Sequence, residues 1–412
     1  MTGPVRDLLR DRSFQLMFWA RAISFFGNAI LPIALAFAVL GQATPSAATR
    51  LGLILAVRSV AQVVFLLIGG AVADRFPRRQ VMVGAEAMAG IAQAATAGLF
   101  FLGSATLPAL LVLAAVNGAA WALFWPASTG LVPHLVPMEA LTAANSLLRL
   151  SMNLTAVVGS ATAGALVALA GPHWALAVGS VTFLLSAGLL GAMRTRPDNP
   201  AAHEHALRAL RTGWREFRSR RWVWATVAQF SLVNACFQGP LMVLGPVVAD
   251  RRFGGAPFWA TMLALHAAGL AVGSLAALRT RSARPMLTAT AATFGFAPMY
   301  IALGWNTPRE LIGAAMLLGG FSASLFNILW NTSLQTRIPP HVLSRVSSYD
   351  ALGSFALGPA GAALAAPLAL RFGTTAVFLG CGILLTLASA AVLTSGDTQK
   401  LTRPDLHHRQ RS

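Results

Sequence analysis

Between residues 14 and 394 the sequence is a succession of long apolar runs separated by short clusters of arginine, proline and glycine. The runs lie near 14–40, 51–73, 80–102, 107–127, 141–169 and 174–193, then near 222–248, 257–278, 286–304, 309–331, 346–370 and 374–394. Each is long enough to cross a hydrocarbon layer about 30 Å thick as a helix rising about 1.5 Å per residue. Lipid offers no water to the backbone, so a spanning segment must satisfy its own amides as a helix or close into a barrel. Apolar runs of this length without period-two alternation are helical. The pattern therefore predicts an all-α integral membrane protein of twelve transmembrane helices. With 56% hydrophobic and 11% charged residues, the chain falls outside both soluble and disordered classes. The first run carries Arg21 and Asn28 and is too long for a cleaved signal, so it reads as a retained anchor.

Charge sets the orientation. The formal net charge is +18, and among the 31 basic residues the only lysine is Lys400. With the N-terminus inside, 23 of the 31 basic residues fall in cytoplasmic segments, and only Arg50, Arg251, Arg252, Arg309 and Arg371 fall outside. That bias predicts cytoplasmic N- and C-termini in a cell membrane, with the basic segments facing anionic lipid headgroups and no nucleic acid as partner. Lys400 is followed by Leu401, so the chain has no Gly-Lys-Ser/Thr phosphate loop, and any transport must draw on a gradient or a separate subunit. Cys236 and Cys381 sit inside apolar runs, which argues against a disulfide scaffold or a cysteine metal site. No second histidine is spaced to share a metal with His266, so neither a metal nor a cofactor is expected.

Four segments follow: a six-helix half over 1–193, a linker over 194–221, a second six-helix half over 222–394 and a basic tail over 395–412. In the linker Leu207, Leu210, Trp214 and Phe217 recur at helical spacing beside Arg208, Arg211, Arg215 and Arg218, the pattern of a helix lying on the membrane surface. The halves echo each other at an offset of 202. Leu123-Phe124 matches Leu325-Phe326, Val136-Pro137 matches Ile338-Pro339, and Leu141-Thr142 and Ser146 match Leu343-Ser344 and Ser348. A six-plus-six repeat is common among secondary transporters.

After the second run comes Gly70-Ala-Val-Ala-Asp74-Arg75-Phe76-Pro77-Arg78-Arg79. It resembles the signature loop of the major facilitator superfamily, with Pro77 where that loop has glycine. Gly358-Pro359-Ala360-Gly361 resembles the superfamily's helix-packing motif, whose first-half counterpart near Gly159 lacks the proline. Three strings, Ala20 to Asn28, Ala73 to Arg79 and Ile338 to Ser348, are similar to the drug-efflux branch that includes macrolide and siderophore exporters. In that branch the position of Asn28 is often acidic. The resemblance implies a gate in which Asp74 caps a neighbouring helix, with Gly70, Arg75, Arg78, Arg79, Gly358, Pro359 and Gly361 around it. Apart from the family, an acid at a helix end can cap a neighbour, while a basic loop could equally serve topology alone.

Ionisable groups inside a span are functional candidates by default. They are Arg21, Arg58, Glu86, Arg149, His266 and Asp350. Glu86 reads as the leading proton carrier, or else as the partner of Arg58 or Arg149 in a structural ion pair. Asp350 reads as a second proton candidate or as a gate partner of the basic loops, and His266 as a hydrogen-bonded packing residue. The resemblance places substrate on spans 1, 4, 7 and 10. There the notable side chains are Arg21, Phe25, Asn28, Asn117, Trp121, Trp125, Gln229, Asn234, Gln238, Asn327, Trp330 and Asn331. Aromatic walls with neutral amides suit a bulky amphipathic ligand, although Trp125 also reads as an interfacial belt residue.

The expectation is thus a secondary-active exporter, a monomer, moving a drug-like or siderophore-like small molecule in exchange for protons. An uncoupled facilitator or uptake carrier and a non-transporting sensor or scaffold are the alternatives. An intramembrane enzyme is set aside because no hydrolase or protease motif is present.

Overall fold

The computed structural model describes residues 11–42, 44, 46–137, 141–193, 214–279, 284–305, 307–338 and 340–394, without the side chains at 67–75, 133, 134, 141–143, 145, 146, 278, 279, 340–345 and 348. Helices dominate the described residues. In the first half they are α1 (Arg12–Leu40), α2 (Ala47–Arg75), α3 (Arg78–Phe101), α4 (Leu107–Leu135), α5 (Leu141–Ala170) and α6 (Pro172–Ala192). In the second half they are α7 (Arg221–Arg252), α8 (Ala256–Arg279), α9 (Pro285–Gly304), α10 (Arg309–Arg337), α11 (Pro340–Phe355 and Gly358–Phe372) and α12 (Thr374–Leu393). Eleven of these twelve are long and apolar enough to cross a membrane. The twelfth, α3, is diluted by Gly84, Glu86, Gln93 and Thr96 and packs against α4 and α6.

Local chemistry explains the ends. Asp11 opens α1, its carboxylate accepting the amide N–H of Phe14 at 2.7 Å. Proline at the first turn starts α4 and α6, where a missing N–H does no harm. The 202-residue offset reappears in three dimensions: α4 and α10 are both 29 residues long. The turns before α6 and α12 both use a left-handed glycine, Gly171 at φ 90° and Gly373 at φ 85°. Both α4 and α10 run past their apolar stretches, through Pro133 and through Thr332 to Arg337.

Two helices depart from regularity. In α7, residues Phe237–Leu244 adopt a π-helix around Pro240, which cannot supply its N–H to the ladder. In α11 the ladder breaks at Ala356 and Leu357, just before Pro359. Side chains of α7 satisfy the freed groups, as lipid would not: Asn234 donates to the carbonyl of Ser354 at 2.9 Å, and Ser231 accepts the N–H of Leu357 at 3.3 Å.

Proximity divides the chain into two compact units. One holds Met1–Ala202 with Gln238–Ala264 and Pro359–Pro367; the other holds His203–Phe237, Leu265–Gly358 and Leu368–Ser412. In the first, α2 packs on α4, α3 on α4 and α6, and α1 on α5 and α6, around Phe14, Met17, Met82, Phe124, Leu131 and Leu190. Here the backbones of α7 and α11 also touch, since a Cβ on Gly239 would lie 2.1 Å from the carbonyl oxygen of Gly361. In the second, α9 packs on α10 and α12, and α7 on α11 and α12, around Trp222, Phe326, Leu329 and Trp330. Lipid tails are as apolar as leucine, so close packing, rather than exclusion of water, holds such helices together.

Candidate functional site

A small cleft opens in the first unit among α1, α3, α4 and α6. Helical periodicity assembles it. Ser24, Phe25 and Asn28 share one face of α1, Glu86 and Ala89 one face of α3, and Asn117, Trp121 and Phe124 one face of α4. Phe183 of α6 closes the side, and close approach of Gly27 to Thr182 and of Gly90 to Leu184 seats α6 against α1 and α3.

Among the described residues Glu86 is the only acid on the cleft wall, and it is 3% exposed. Its Oε1 accepts the Ser24 hydroxyl at 2.7 Å, while Oε2 has no hydrogen bond of good geometry. The two arginines that the sequence offered as partners are occupied elsewhere or set apart. Arg58 donates Nε to Asn117 Oδ1 at 3.1 Å, and Arg149 is exposed without an ion pair among the described residues. Asn117 thus has its carbonyl engaged by a cation, which leaves its amide hydrogens as donors for the cleft. Asn28 donates to the carbonyl of Ser24 at 3.0 Å, one turn back on its own helix.

An aromatic path leads along the wall. Trp121 and Trp125 stack at 5.7 Å with planes 7° apart, and Phe25 meets Trp125 edge-on at 6.3 Å. Trp125 therefore joins the cleft's aromatic group rather than standing apart. Arg21, 7% exposed, has its guanidinium carbon 5.5 Å from the Phe25 ring centre.

The signature loop is described in part. Gly70, Asp74 and Arg75 lie in the last two turns of α2, and the side chains of Asp74 and Arg75 are outside the described residues. Arg78 donates to the carbonyl of Gly130 near the end of α4, and Arg79 to the carbonyl of Met193 at the end of α6. Helix C-termini carry unpaired carbonyls and the negative end of the dipole, so both arginines sit where a cation is favoured. Gly358 and Pro359 start the second segment of α11, and Gly361 supplies its contact with α7.

In the second unit the candidates divide by burial. Gln229, 2% exposed, donates to the hydroxyls of Thr293 and Ser389 at 2.9 Å and 3.0 Å. Asn234 spends its amide on the carbonyls of Phe230 and Ser354. Asp350 accepts Trp330 Nε1 at 3.0 Å and the Ser354 hydroxyl at 3.3 Å. Asn327 and Asn331 are exposed on one face of α10. Gln238 is half-buried in the π-helical turn of α7, within the first unit. The Nδ1 of His266 lies 3.2 Å from the carbonyl oxygen of Met316 and joins α8 to α10. Both cysteines are buried and free. Of the linker helix, Leu207, Leu210, Arg208 and Arg211 fall outside the described residues, as does the tail; Trp214 and Phe217 stack at 5.7 Å and both lean on Tyr349.

Sequence reasoning missed Ser24, Phe183 and the Gln229–Thr293–Ser389 cluster. Small hydroxyls raise no alarm in an apolar run, because they can bond their own helix. One signal was available: Ser24 lies three residues after Arg21 and four before Asn28, on the polar face of α1.

The sequence pattern of the Major Facilitator Superfamily matches residues 17–361. Enterobactin exporters EntS from Shigella boydii serotype 18 and from Escherichia coli O1:K1 are each 28% identical to the chain, over 91% of its length and 91% of theirs. Among solved structures, the nucleoside transporter NupG superposes with a TM-score of 0.70 at 13% identity, covering 92% of this chain and 98% of that one. A bacterial homolog of the human lysosomal transporter Spinster gives 0.70 at 13% identity, covering 97% and 98%. At such identities the structural likeness speaks for the fold.

Proposed function

The chain belongs to the Major Facilitator Superfamily and is a multi-pass secondary transporter rather than an enzyme, and from that premise we propose that it exports a hydrophobic or amphipathic small molecule in exchange for protons. The observation that carries the reading is Glu86, an acid buried without a cation partner among the described residues, in a cleft walled by aromatic rings and amides. A carboxyl so placed holds a charge only when water or a cation reaches it, so its loading follows the opening of the cleft. Phe25, Trp121 and Phe124 offer apolar area, and Asn28 and Asn117 offer hydrogen bonds that fix orientation. Similarity to enterobactin exporters supports efflux over uptake and a bacterial inner membrane as the location. The arginine bias supports cytoplasmic termini.

The test is accumulation of labelled lipophilic drugs and siderophores in efflux-deficient cells, with and without the protein. Export by antiport lowers accumulation, and a protonophore restores it. Unchanged or raised accumulation, indifferent to protonophore, would make the protein a facilitator instead. That second reading draws on Asn28, a neutral amide bonded to its own helix.

The gating assignment to Asp74 belongs to the same proposal. Asp74→Asn keeps side-chain size and removes the charge that favours a helix N-terminus. Export is expected to fall several-fold with membrane insertion intact, measured as drug accumulation against protein detected in the membrane fraction. Full export by the variant would reduce the loop to a topology signal.

A further inference from the structure

Three buried polar atoms of the first unit lie along one interhelical seam without a hydrogen-bond partner among the described residues. They are Glu86 Oε2 and Gln93 Nε2 of α3 and Ser186 Oγ of α6, in side chains 3%, 2% and 0% exposed. Glu86, Gly90 and Gln93 share one face of α3, and Gly179, Thr182 and Ser186 one face of α6. The faces meet in antiparallel register. A Cβ on Gly179 would lie 3.6 Å from Gln93 Nε2, the Ser180 hydroxyl donates to the carbonyl of Gly90 at 2.9 Å, and a Cβ on Gly90 would lie 2.7 Å from Leu184. That register carries Ser186 to the level of Glu86. Helix α1 closes the seam: Ser24 donates to Glu86, and a Cβ on Gly27 would lie 2.0 Å from Thr182 Oγ1.

An unpaired polar atom in the interior costs stability, and apolar side chains would pack these helices as well. The polar groups are instead spaced as a chain. Gln93, then Thr182, then the group of Ser186, Ser24 and Glu86 follow at about one helical turn each, near 5 Å, a distance that one water bridges between two polar atoms. Glycine at 27 and 179 leaves Thr182 and Gln93 uncovered by side chains. Only Glu86 in this chain titrates. Between Arg79 and Phe101 it is the one charged residue of α3, while α6 has only His173 in its first turn and α4 only His134 near its end. Past Arg12, α1 has only Arg21, which rests on Phe25. Helix α3 runs from Arg78 to Phe101, so Gln93 lies on the side of Glu86 away from the signature loop. With that loop cytoplasmic, as the arginine bias supports, the polar chain leads outward.

We infer, resting on the antiport reading, that the α1–α3–α6 seam is a proton route separate from the substrate cleft, in which Gln93 and Thr182 hold the water that delivers a proton to Glu86 from the outer side. A proton leaves bulk water at the outer end and is handed along the hydrogen-bonded waters. The O–H bond of the last water breaks as one forms on the Glu86 carboxylate, which becomes neutral. Gln93 and Thr182 are positioning residues and carry no charge at any step.

The test uses the full chain in liposomes loaded acid inside and diluted into neutral buffer, with labelled ethidium, naphthol and naphthoate as probes. Gln93→Leu removes the amide at similar volume, and Gly179→Ala sets a methyl at ordinary contact distance from it. Each is expected to slow gradient-driven accumulation about tenfold, the effect of one hydrogen bond left unmade along the route. Probe-for-probe exchange, which needs no proton, should keep the parental rate, and equilibrium binding should not change. Gln93→Asn should retain much of the driven rate. Gly188→Ala should retain all of it, since nothing on its stretch of α6 lies within 4 Å of the added Cβ. Parental driven rates in Gln93→Leu and Gly179→Ala would overturn the inference. Exchange that falls in step with accumulation would overturn it too, because a seam that serves packing alone slows both. If Gln93→Leu fails to insert, Gly179→Ala decides alone. A parent that moves no probe in response to the gradient contradicts the export reading itself, and the route falls with it.

Discussion

Glu86→Gln is expected to bring protonophore-sensitive export down to the level of cells lacking the protein, while substrate binding stays near that of the parent. The side chain keeps its length, and its amide oxygen can still accept the Ser24 hydroxyl that now lies 2.7 Å from Oε1. The fold around α1, α3 and α6 therefore has no reason to change. What is lost is the one group on the cleft wall that can gain and release a proton. Glu86→Asp makes the complementary point, because it keeps the acid but withdraws it from Ser24, so partial export is expected. Accumulation in cells and equilibrium binding to purified protein check the two halves of the prediction. Full export by the glutamine variant would remove Glu86 from the mechanism.

Gly320→Val is expected to destabilise the protein by about 3 kcal/mol, the upper part of the usual range for overpacking. In the second unit α8 and α10 meet backbone to backbone. A Cβ on Gly320 would lie 1.9 Å from the carbonyl oxygen of His266, one on Gly269 2.0 Å from that of Leu317, and one on Gly273 2.4 Å from that of Phe321. Small residues four apart on α8 let the helices approach, and in lipid that approach is the main source of association. The obstacles are helix carbonyls rather than flexible side chains, so the seam must open to accept a methyl group. Gly380 of α12 supplies the control, with nothing within 4 Å of a Cβ. Gly380→Ala should hold stability or raise it by about 0.5 kcal/mol, since alanine has less backbone freedom to lose. Thermal unfolding of the two variants in detergent decides, and equal midpoints would contradict the seam.

Hydrophobic runs made the fold legible because a membrane span announces itself by length. The twelve runs coincide with twelve helices to within a few residues at most ends, and departures have local causes. The run near 309–331 continues to Arg337 because threonine, serine and glutamine extend a helix that hydropathy no longer marks. The π-turn at Pro240 and the break at Leu357 escaped, although Pro240 and Pro359 were visible. Proline in a membrane helix is tolerated wherever a neighbour satisfies the freed groups, and that neighbour is known only in three dimensions.

The site was legible as an inventory, not as an arrangement. Glu86, Asn28, Asn117 and Trp121 stood out as polar or aromatic residues in apolar runs, and the structure brings them into one cleft. Arg58 and Arg149 were equally conspicuous as partners for Glu86, yet one reaches Asn117 and the other lies exposed. Helical spacing says which residues share a face of one helix; it does not say which face of another helix lies opposite. Gln229 shows the same limit, since an isolated amide reads alike whether it lines a cavity or, as here, bonds Thr293 and Ser389 in the interior.

Proton antiport through Glu86 is most directly tested with purified protein in liposomes loaded acid inside and diluted into neutral buffer. Antiport predicts that a labelled lipophilic substrate accumulates in the lumen above its external concentration, that nigericin collapses the accumulation, and that Glu86→Gln liposomes show none. Substrate that only equilibrates, at the same rate with and without the pH gradient and in the variant as in the parent, would contradict it.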